Sequence, residues 1–164
     1  MNMEKFTKKS LEAIRAAQEV AVEHQNMEID QQHVLYALTA QEDGLIPQLF
    51  QQLNIDPKRV LQAAGREIER LSRVSGPGRE PDRVYVSPAV DQALSEAERV
   101  ATHMKDEYVS VEHILLALFE KANAAVKRVF SEVGLARDAF LKQLQCVRGN
   151  ARVTCDQPED TYDA

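Results

Sequence analysis

The chain has 164 residues, which is enough to bury one hydrophobic core without the help of disulfides. Hydrophobic residues make up 44% of it and charged residues 28%, and this mixture excludes both a disordered chain and a membrane-spanning one. Twenty basic against 26 acidic side chains give a formal net charge of −6, so the chain lacks the basic field that a nucleic-acid-binding protein needs.

The first 72 residues predict four helices. Apolar residues recur every three or four positions, as in the stripe of the first helix, which consists of Leu11, Ile14, Ala17, Ala21 and Val22. The second helix is predicted over 31–40 and a short third one over 47–53. Each helix follows a capping or helix-breaking residue, and these residues are Thr7, Asp30, Gly44 and Asp56, the last with Pro57 behind it. Residues 1–72 are therefore expected to form one helical unit.

Residues 73–86 interrupt the helical pattern. They contain Gly76, Pro77, Gly78 and Pro81, which do not continue a helix. The segment is predicted to be an exposed loop that joins two units.

Residues 87–148 repeat the first unit at an offset of 80 residues, without gaps. Identical residues align at pairs that include Ala13/Ala93, Ala17/Ala97, His33/His113, Leu38/Leu118 and Phe50/Phe130. Most matched positions are apolar or small, so the shared content is a packing pattern. Helices are predicted after Ser87, after Ser110, near Asn123 and over 136–147. We therefore expect an all-α fold in which two four-helix units, eight helices in total, pack as one domain.

The periodicity stops at Gly149, and residues 149–164 are predicted to be a flexible linker towards a further domain. Cys146 and Cys155 lack the close spacing and neighbouring histidine of a zinc site, so we interpret them as incidental thiols. The first residues, MNMEKFTKKSLEAI, lack the apolar core of a secretion signal, which predicts a cytoplasmic protein.

The common catalytic and nucleotide-binding motifs, GxxxxGK[ST], HExxH, GxSxG and GxGxxG, do not occur in the sequence. His33 and His113 occupy equivalent repeat positions, which is a pattern that a symmetric metal or acid–base pair could share. Both stand three residues after a predicted cap, Asp30 or Ser110, and we favour a local hydrogen bond to the capping residue. We expect no catalytic residue, metal or cofactor in this chain.

An acidic cluster surrounds Tyr108 and Val109. Paired carboxylates such as Asp106 and Glu112 could act in general acid–base catalysis, so a small hydrolase is one hypothesis. The simpler interpretation places Glu112 in the first turn of a helix, where the helix dipole favours a carboxylate, and Asp106 in a solvated turn. Tyr108 and Val109 are then expected to pack in the core or between the units rather than to form an exposed binding patch.

The strings FTKKSLEAIRAAQEVA, IDQQHVLYAL and VSVEHILLAL, together with the duplication, resemble the Clp N-terminal repeat domain. The paired strings run from Asp30 to Leu38 and from Ser110 to Leu118, and the resemblance covers about residues 1–148. The tail, VRGNARVTCDQPEDTYDA, resembles the stretch that connects this domain to the first ATPase module in bacterial disaggregases of the ClpB type.

The resemblance implies a mobile accessory domain of a homohexameric AAA+ disaggregase, which engages unfolded or aggregated polypeptide before ATP-driven threading. ATP and Mg²⁺ belong, on this interpretation, to AAA+ modules outside the chain, and an Hsp70-type chaperone system is a partner of the parent protein. The chain itself is expected to be a monomer in the bacterial cytoplasm that binds neither nucleic acid nor membranes.

Polar residues associated with substrate engagement in ClpB-type domains match Thr7, Asp106 and Glu112, and the resemblance implies an apolar groove beside them. The predicted substrate-binding set also contains Tyr108 and Val109. The alternative within the family is the N-domain of a ClpC- or ClpA-like protease regulatory ATPase, which docks a folded adaptor instead of an unfolded chain.

Overall fold

The computed structural model describes residues 3–74 and 84–149, which form eight α-helices after a short 3-10 turn. The inter-repeat residues 75–83 and the tail 150–164, both predicted to be irregular, lie outside the described residues. The helices are α1 (Lys8–Glu23), α2 (Gln31–Ala40), α3 (Leu45–Gln52), α4 (Pro57–Glu69), α5 (Pro88–His103), α6 (Val111–Glu120), α7 (Ala124–Val133) and α8 (Arg137–Val147).

The predicted caps explain where most helices begin. The Thr7 hydroxyl accepts the N–H of Ser10 at 3.2 Å, and the Ser87 hydroxyl accepts the N–H of Val90 at 3.1 Å. The third helix starts two residues earlier than predicted, at Leu45. Pro47 is tolerated inside its first turn because the N–H groups there have no intrahelical partner in any case.

Two short parallel strands, β1 (Glu28–Ile29) and β2 (Tyr85–Val86), were not predicted from the sequence. They lie between α1 and α2 and directly before α5. At the equivalent place in the second unit, Phe6 forms a parallel bridge with Val109. Each unit therefore pairs the extended residues before its own first helix with the turn of the other unit. Strands of two residues are too short to show the alternation of apolar and polar residues by which a strand is recognised, so the sequence does not predict them.

The two units interlock around α2 and α6, whose side chains are buried almost along their whole length. The remaining contacts between units are reciprocal, since α4 packs on α7 and α3 packs on α8. Phe50 of α3 meets Phe140 of α8 edge to face, with ring centroids 6.4 Å apart. The predicted all-α fold of two repeated units in one domain is confirmed.

Within residues 3–74 and 84–149, no helix has the length and apolar character required to cross a bilayer.

Candidate functional site

Asp106, Tyr108 and Val109 lie in the turn between α5 and α6, and Glu112 follows in the first turn of α6. The structure brings the fifth predicted site residue, Thr7, to the same turn. The main-chain N–H of Thr7 donates to the Val109 carbonyl oxygen at 2.9 Å, and the N–H of Val109 donates to the Lys5 carbonyl oxygen at 2.7 Å. The Ser10 hydroxyl lies 3.1 Å from the same Val109 carbonyl oxygen and is the second hydrogen-bond donor to it. The start of α1 and the α5–α6 turn therefore form one structural element.

Tyr108 and Val109 have opposite environments. Val109 is buried, so its predicted packing role between the units is confirmed. Tyr108 is 55% exposed, so the same prediction is wrong for this residue. Neighbouring side chains of an extended segment point to opposite faces, and because Val109 faces the core in its bridge with Phe6, Tyr108 faces solvent.

Asp106 lies in the predicted turn but is only partly solvated, because two partners hold its carboxylate. One carboxylate oxygen accepts from the Arg148 guanidinium at 2.7 Å, and the other lies 2.7 Å from Nε2 of His113. The hydrogen bond from Arg148 is the main reason why the pKa of Asp106 is lowered, with His113 acting in the same direction against the effect of burial. Asp106 is a carboxylate anchored inside its own domain.

The predicted local role of the two repeated histidines is confirmed. Nδ1 of His113 accepts the N–H of Ser110 at 2.9 Å, and Nδ1 of His33 accepts the N–H of Asp30 at 2.8 Å. Since Nδ1 accepts in both rings, the proton of each neutral imidazole lies on Nε2. His33 donates that proton to Asn26 at 2.8 Å, as His113 does to Asp106.

Asn26 was missed by the sequence analysis, although it is the residue that aligns with Asp106 at the offset of 80. The repeat could have indicated this residue, because Asn26 precedes His33 by seven positions and Asp106 precedes His113 by the same number. The buried His33 has no carboxylate on Nε2, and burial lowers its pKa to about 4, with the nearby Asp30 only partly offsetting this effect.

Glu112 is 3% exposed, and its Oε1 has no hydrogen-bond partner in the described part of the chain. Its counterpart in the first unit, Gln32, is equally buried, but its Oε1 accepts the side-chain amide of Asn123 at 3.2 Å. The residue that aligns with Asn123 is Asp43, whose carboxylate has no hydrogen to donate. Gln32 of the first unit therefore receives a hydrogen bond from the second unit, whereas Asp43 of the first unit has no hydrogen to give Glu112 in return.

Asp106, Tyr108 and Val109 line an open depression of about 560 Å³. Thr7 and Glu112 do not line it, so the five predicted residues are not all brought to one surface. Its further lining includes Glu4, Lys5, Glu98, Thr102 and Glu107. Four carboxylates against one lysine make the depression acidic.

A groove of about 820 Å³ lies next to this depression, between α5, α6 and α8, and its lining mixes apolar residues with charged ones such as Arg99, Glu120 and Arg137. The two share Glu98 and Thr102 in their linings. The family resemblance implied an apolar groove near the acids without indicating which residues form its floor. The apolar residues that line it are Val100, Met104, Leu116 and Leu141.

Among residues 3–74 and 84–149, no group of His, Cys, Asp and Glu side chains is arranged to hold a metal ion. Cys146 forms no disulfide with a described residue, and Cys155 lies outside the described ranges.

A family model for the Clp repeat (R) N-terminal domain matches residues 5–133. The chain belongs to this family. Two curated relatives named Chaperone protein ClpB, from Nitratidesulfovibrio vulgaris and Bacillus cereus, are 41% and 39% identical over 100% of the chain. The chain spans 19% of the length of each. It is thus similar to the N-domain of ClpB chaperones, a non-catalytic domain, and residues 1–164 include no AAA+ module.

Solved structures agree with this assignment. The Hsp104 N-terminal domain from Candida albicans superposes with a TM-score of 0.76 at 25% identity, covering 94% of this chain and 98% of that one. The N-domain of ClpV from Vibrio cholerae has a TM-score of 0.73 at 18% identity, covering 99% of this chain and 90% of that one, and shares the fold.

Proposed function

We propose that this chain is the substrate-engaging accessory domain of an ATP-dependent disaggregase, and that it holds unfolded or aggregated polypeptide weakly before a hexamer threads it. Membership of the Clp repeat family and the ClpB relatives support this proposal. The parent protein would be a bacterial, cytoplasmic homohexamer whose AAA+ modules use ATP and Mg²⁺, and it would cooperate with an Hsp70-type chaperone system.

The observation that carries the proposal is that an acidic depression beside Tyr108 adjoins a groove with apolar residues on the second unit. Glu112 lines neither of these surfaces, but its buried Oε1 has no donor among the described residues, and such an acceptor costs free energy. An amide, guanidinium or ammonium group that reached this oxygen when polypeptide binds would recover that free energy. Gln32 already has its donor in Asn123.

Apolar and electrostatic contacts lie on the same side of the second unit. The groove lined by Met104 and Leu116 accepts apolar side chains, and the adjoining acidic depression beside Tyr108 favours basic ones. Two or three buried apolar side chains at about 1.5 to 3 kcal/mol each are largely offset by the loss of freedom on association. We therefore expect a dissociation constant on the order of tens of micromolar or weaker.

Weak single-site binding suits a domain that must release its substrate. Six copies on one hexamer raise the local concentration of sites around an aggregate, so that avidity replaces affinity. The proposed selectivity is for segments that mix apolar and basic residues.

A second candidate function is docking of one specific partner. The ClpV N-domain, which shares this fold, has been solved in complex with a VipB peptide, so a domain of this architecture can bind a defined segment. On this alternative, the groove of the present chain receives a folded adaptor.

Fluorescence anisotropy with reduced, alkylated and labelled lysozyme tests the proposal, with native lysozyme as the folded control. Glu112→Gln, which copies the first unit, is expected to weaken binding about threefold to tenfold. Gln32→Ala is the matched control and should leave binding unchanged. Equal binding by wild type and by Thr7→Ala, Asp106→Ala and Glu112→Ala, all shown to be folded, removes the assigned site. Capture of one folded protein at a fixed stoichiometry, with indifference to denatured lysozyme, supports adaptor docking instead.

A further inference from the structure

Each unit ties the end of its fourth helix to the turn before its second helix through one side chain. In the first unit, Asn26 donates its amide N–H to the Ser72 carbonyl oxygen at 3.2 Å, just beyond α4. In the second unit, Asp106 accepts from Arg148, the C-terminal cap of α8, at 2.7 Å. We call this side-chain connection the tether. It is a hydrogen bond from a neutral amide in the first unit and an ion pair in the second.

The two tethers differ in charge and in hydration. Asn26 is buried and forms a neutral amide bond, which salt does not screen. The Asp106 and Arg148 side chains are each 23% exposed, so their ion pair is partly hydrated. A partly hydrated pair is weakened by salt and can exchange its cation for another one.

The Asp106 carboxylate stays in position when its cation is exchanged. Its second oxygen is bonded to Nε2 of His113, whose ring is buried and fixed through Nδ1 to the Ser110 amide. The guanidinium is the more mobile side of the pair because it ends a long, flexible side chain at a helix terminus. The neighbouring depression is acidic, so it concentrates cations next to this pair.

We propose that the Asp106–Arg148 pair is an exchangeable latch: a basic side chain of a bound polypeptide replaces the Arg148 guanidinium on Asp106 and releases the last turn of α8. The proposal rests on the proposed function, since it assigns polypeptide to this surface. It makes Asp106 a residue that contacts the polypeptide and Arg148 a positioning residue, and the pair couples occupancy of the α5–α6 turn to the end of α8.

Hydrogen exchange of the 164-residue chain tests the latch without a ligand. Between 0.05 and 1 M NaCl, we expect exchange of the amides of Gln145 to Gly149 to accelerate about threefold to tenfold, while the end of α4 stays unchanged. Asp106→Asn, which carries the residue of the first unit, and Arg148→Met should each reproduce this acceleration, and the double variant should add nothing. Arg73→Met, which removes the exposed pair with Glu69 at the end of α4, is the control. Additive effects of the two variants, or equal salt responses of α4 and α8, contradict the latch.

A peptide of alternating leucine and arginine, compared with the same peptide carrying citrulline in place of arginine, tests the exchange. Anisotropy records binding in the samples used for hydrogen exchange. We expect the arginine peptide alone to accelerate exchange at the end of α8, and Arg148→Met to abolish this response. Binding of the arginine peptide with α8 still protected overturns the latch and leaves the proposed function intact. If neither this peptide nor unfolded lysozyme binds, the proposed function is overturned. The replacement of Arg148 by a bound polypeptide is then overturned as well.

Discussion

The N–H of Thr7 donates to the carbonyl oxygen of Val109 across the two units, and the N–H of Ser87 donates in the same way to the carbonyl oxygen of Ile29. Both pairs join the residue that caps the first helix of one unit to the turn of the other unit. The bonds are 2.9 and 3.0 Å long. Each repeat therefore completes the other, and the duplication has produced an interlocked pair instead of two separable domains.

Interlocking predicts a single unfolding transition. Fragments 1–74 and 84–149 should each be largely unfolded when made alone, because α3 and α4 then lose their partners α8 and α7. Circular dichroism and amide chemical-shift dispersion measure this directly. A fragment with native dispersion, or two separate transitions in the whole chain, would show that the units fold independently.

Breaking the ion pair between Glu67 and Arg128 is expected to destabilise the domain more than breaking an exposed ion pair. Glu67 is 8% exposed and accepts from Nε and Nη2 of Arg128 at 3.0 and 2.7 Å, and these bonds lower its pKa. Arg128→Ala leaves a buried carboxylate with less compensation and should destabilise the domain by about 1–3 kcal/mol. Lys9→Ala, which removes a pair with Glu12 that is exposed on both sides, should change stability by less than about 0.5 kcal/mol. Urea denaturation at pH 7 compares the two, and equal effects contradict the prediction.

His33 predicts a loss of stability in mild acid. Its pKa is about 4 in the folded domain against 6.5 for an ordinary histidine, so the unfolded chain binds the proton more readily between these values. Stability contributed by neutral His33 is complete above about pH 6.5 and falls as the pH approaches 4, by up to about 3 kcal/mol. His33→Gln, which keeps a capping side chain, should flatten this part of the profile.

The exposed His103 supplies the control for that profile, since His103→Gln should preserve the wild-type slope between pH 6.5 and 4.5. The lowered pKa values of Asp106 and Glu67 act at lower pH, where their stabilisation is lost as the carboxylates protonate. An unchanged slope in His33→Gln would assign the acid sensitivity to other groups.

We expect Glu112→Gln to raise the stability of the domain and to weaken its binding of unfolded polypeptide. Replacing a buried, unpaired carboxyl oxygen by the neutral amide found at Gln32 should raise the free energy of unfolding by about 1 kcal/mol. Glu107→Gln, at an exposed position of the same turn, should leave it unchanged. Thermal denaturation measures both, and destabilisation by Glu112→Gln would mean that the carboxylate already has a stabilising partner.

Sequence periodicity was sufficient for the fold because the repeat doubles every helical signal. The caps Thr7, Asp30 and Asp56 and the local role of His33 follow from short-range chemistry, which a sequence displays. The Asp106–Arg148 pair and the exposure of Tyr108 depend on how α8 and the bridge to Phe6 pack in three dimensions. No local pattern encodes such contacts.

The most direct test of the account is a ¹⁵N–¹H chemical-shift titration of the 164-residue chain with unfolded, alkylated lysozyme. We predict shifts at Thr7, Tyr108 and Glu112 and along the groove of α5, and no shifts at the residues that align with these three in the repeat, Ser87, Glu28 and Gln32. Equal perturbation of both units, or changes confined to residues away from the α5–α6 turn, would contradict the claim that the second unit engages the polypeptide.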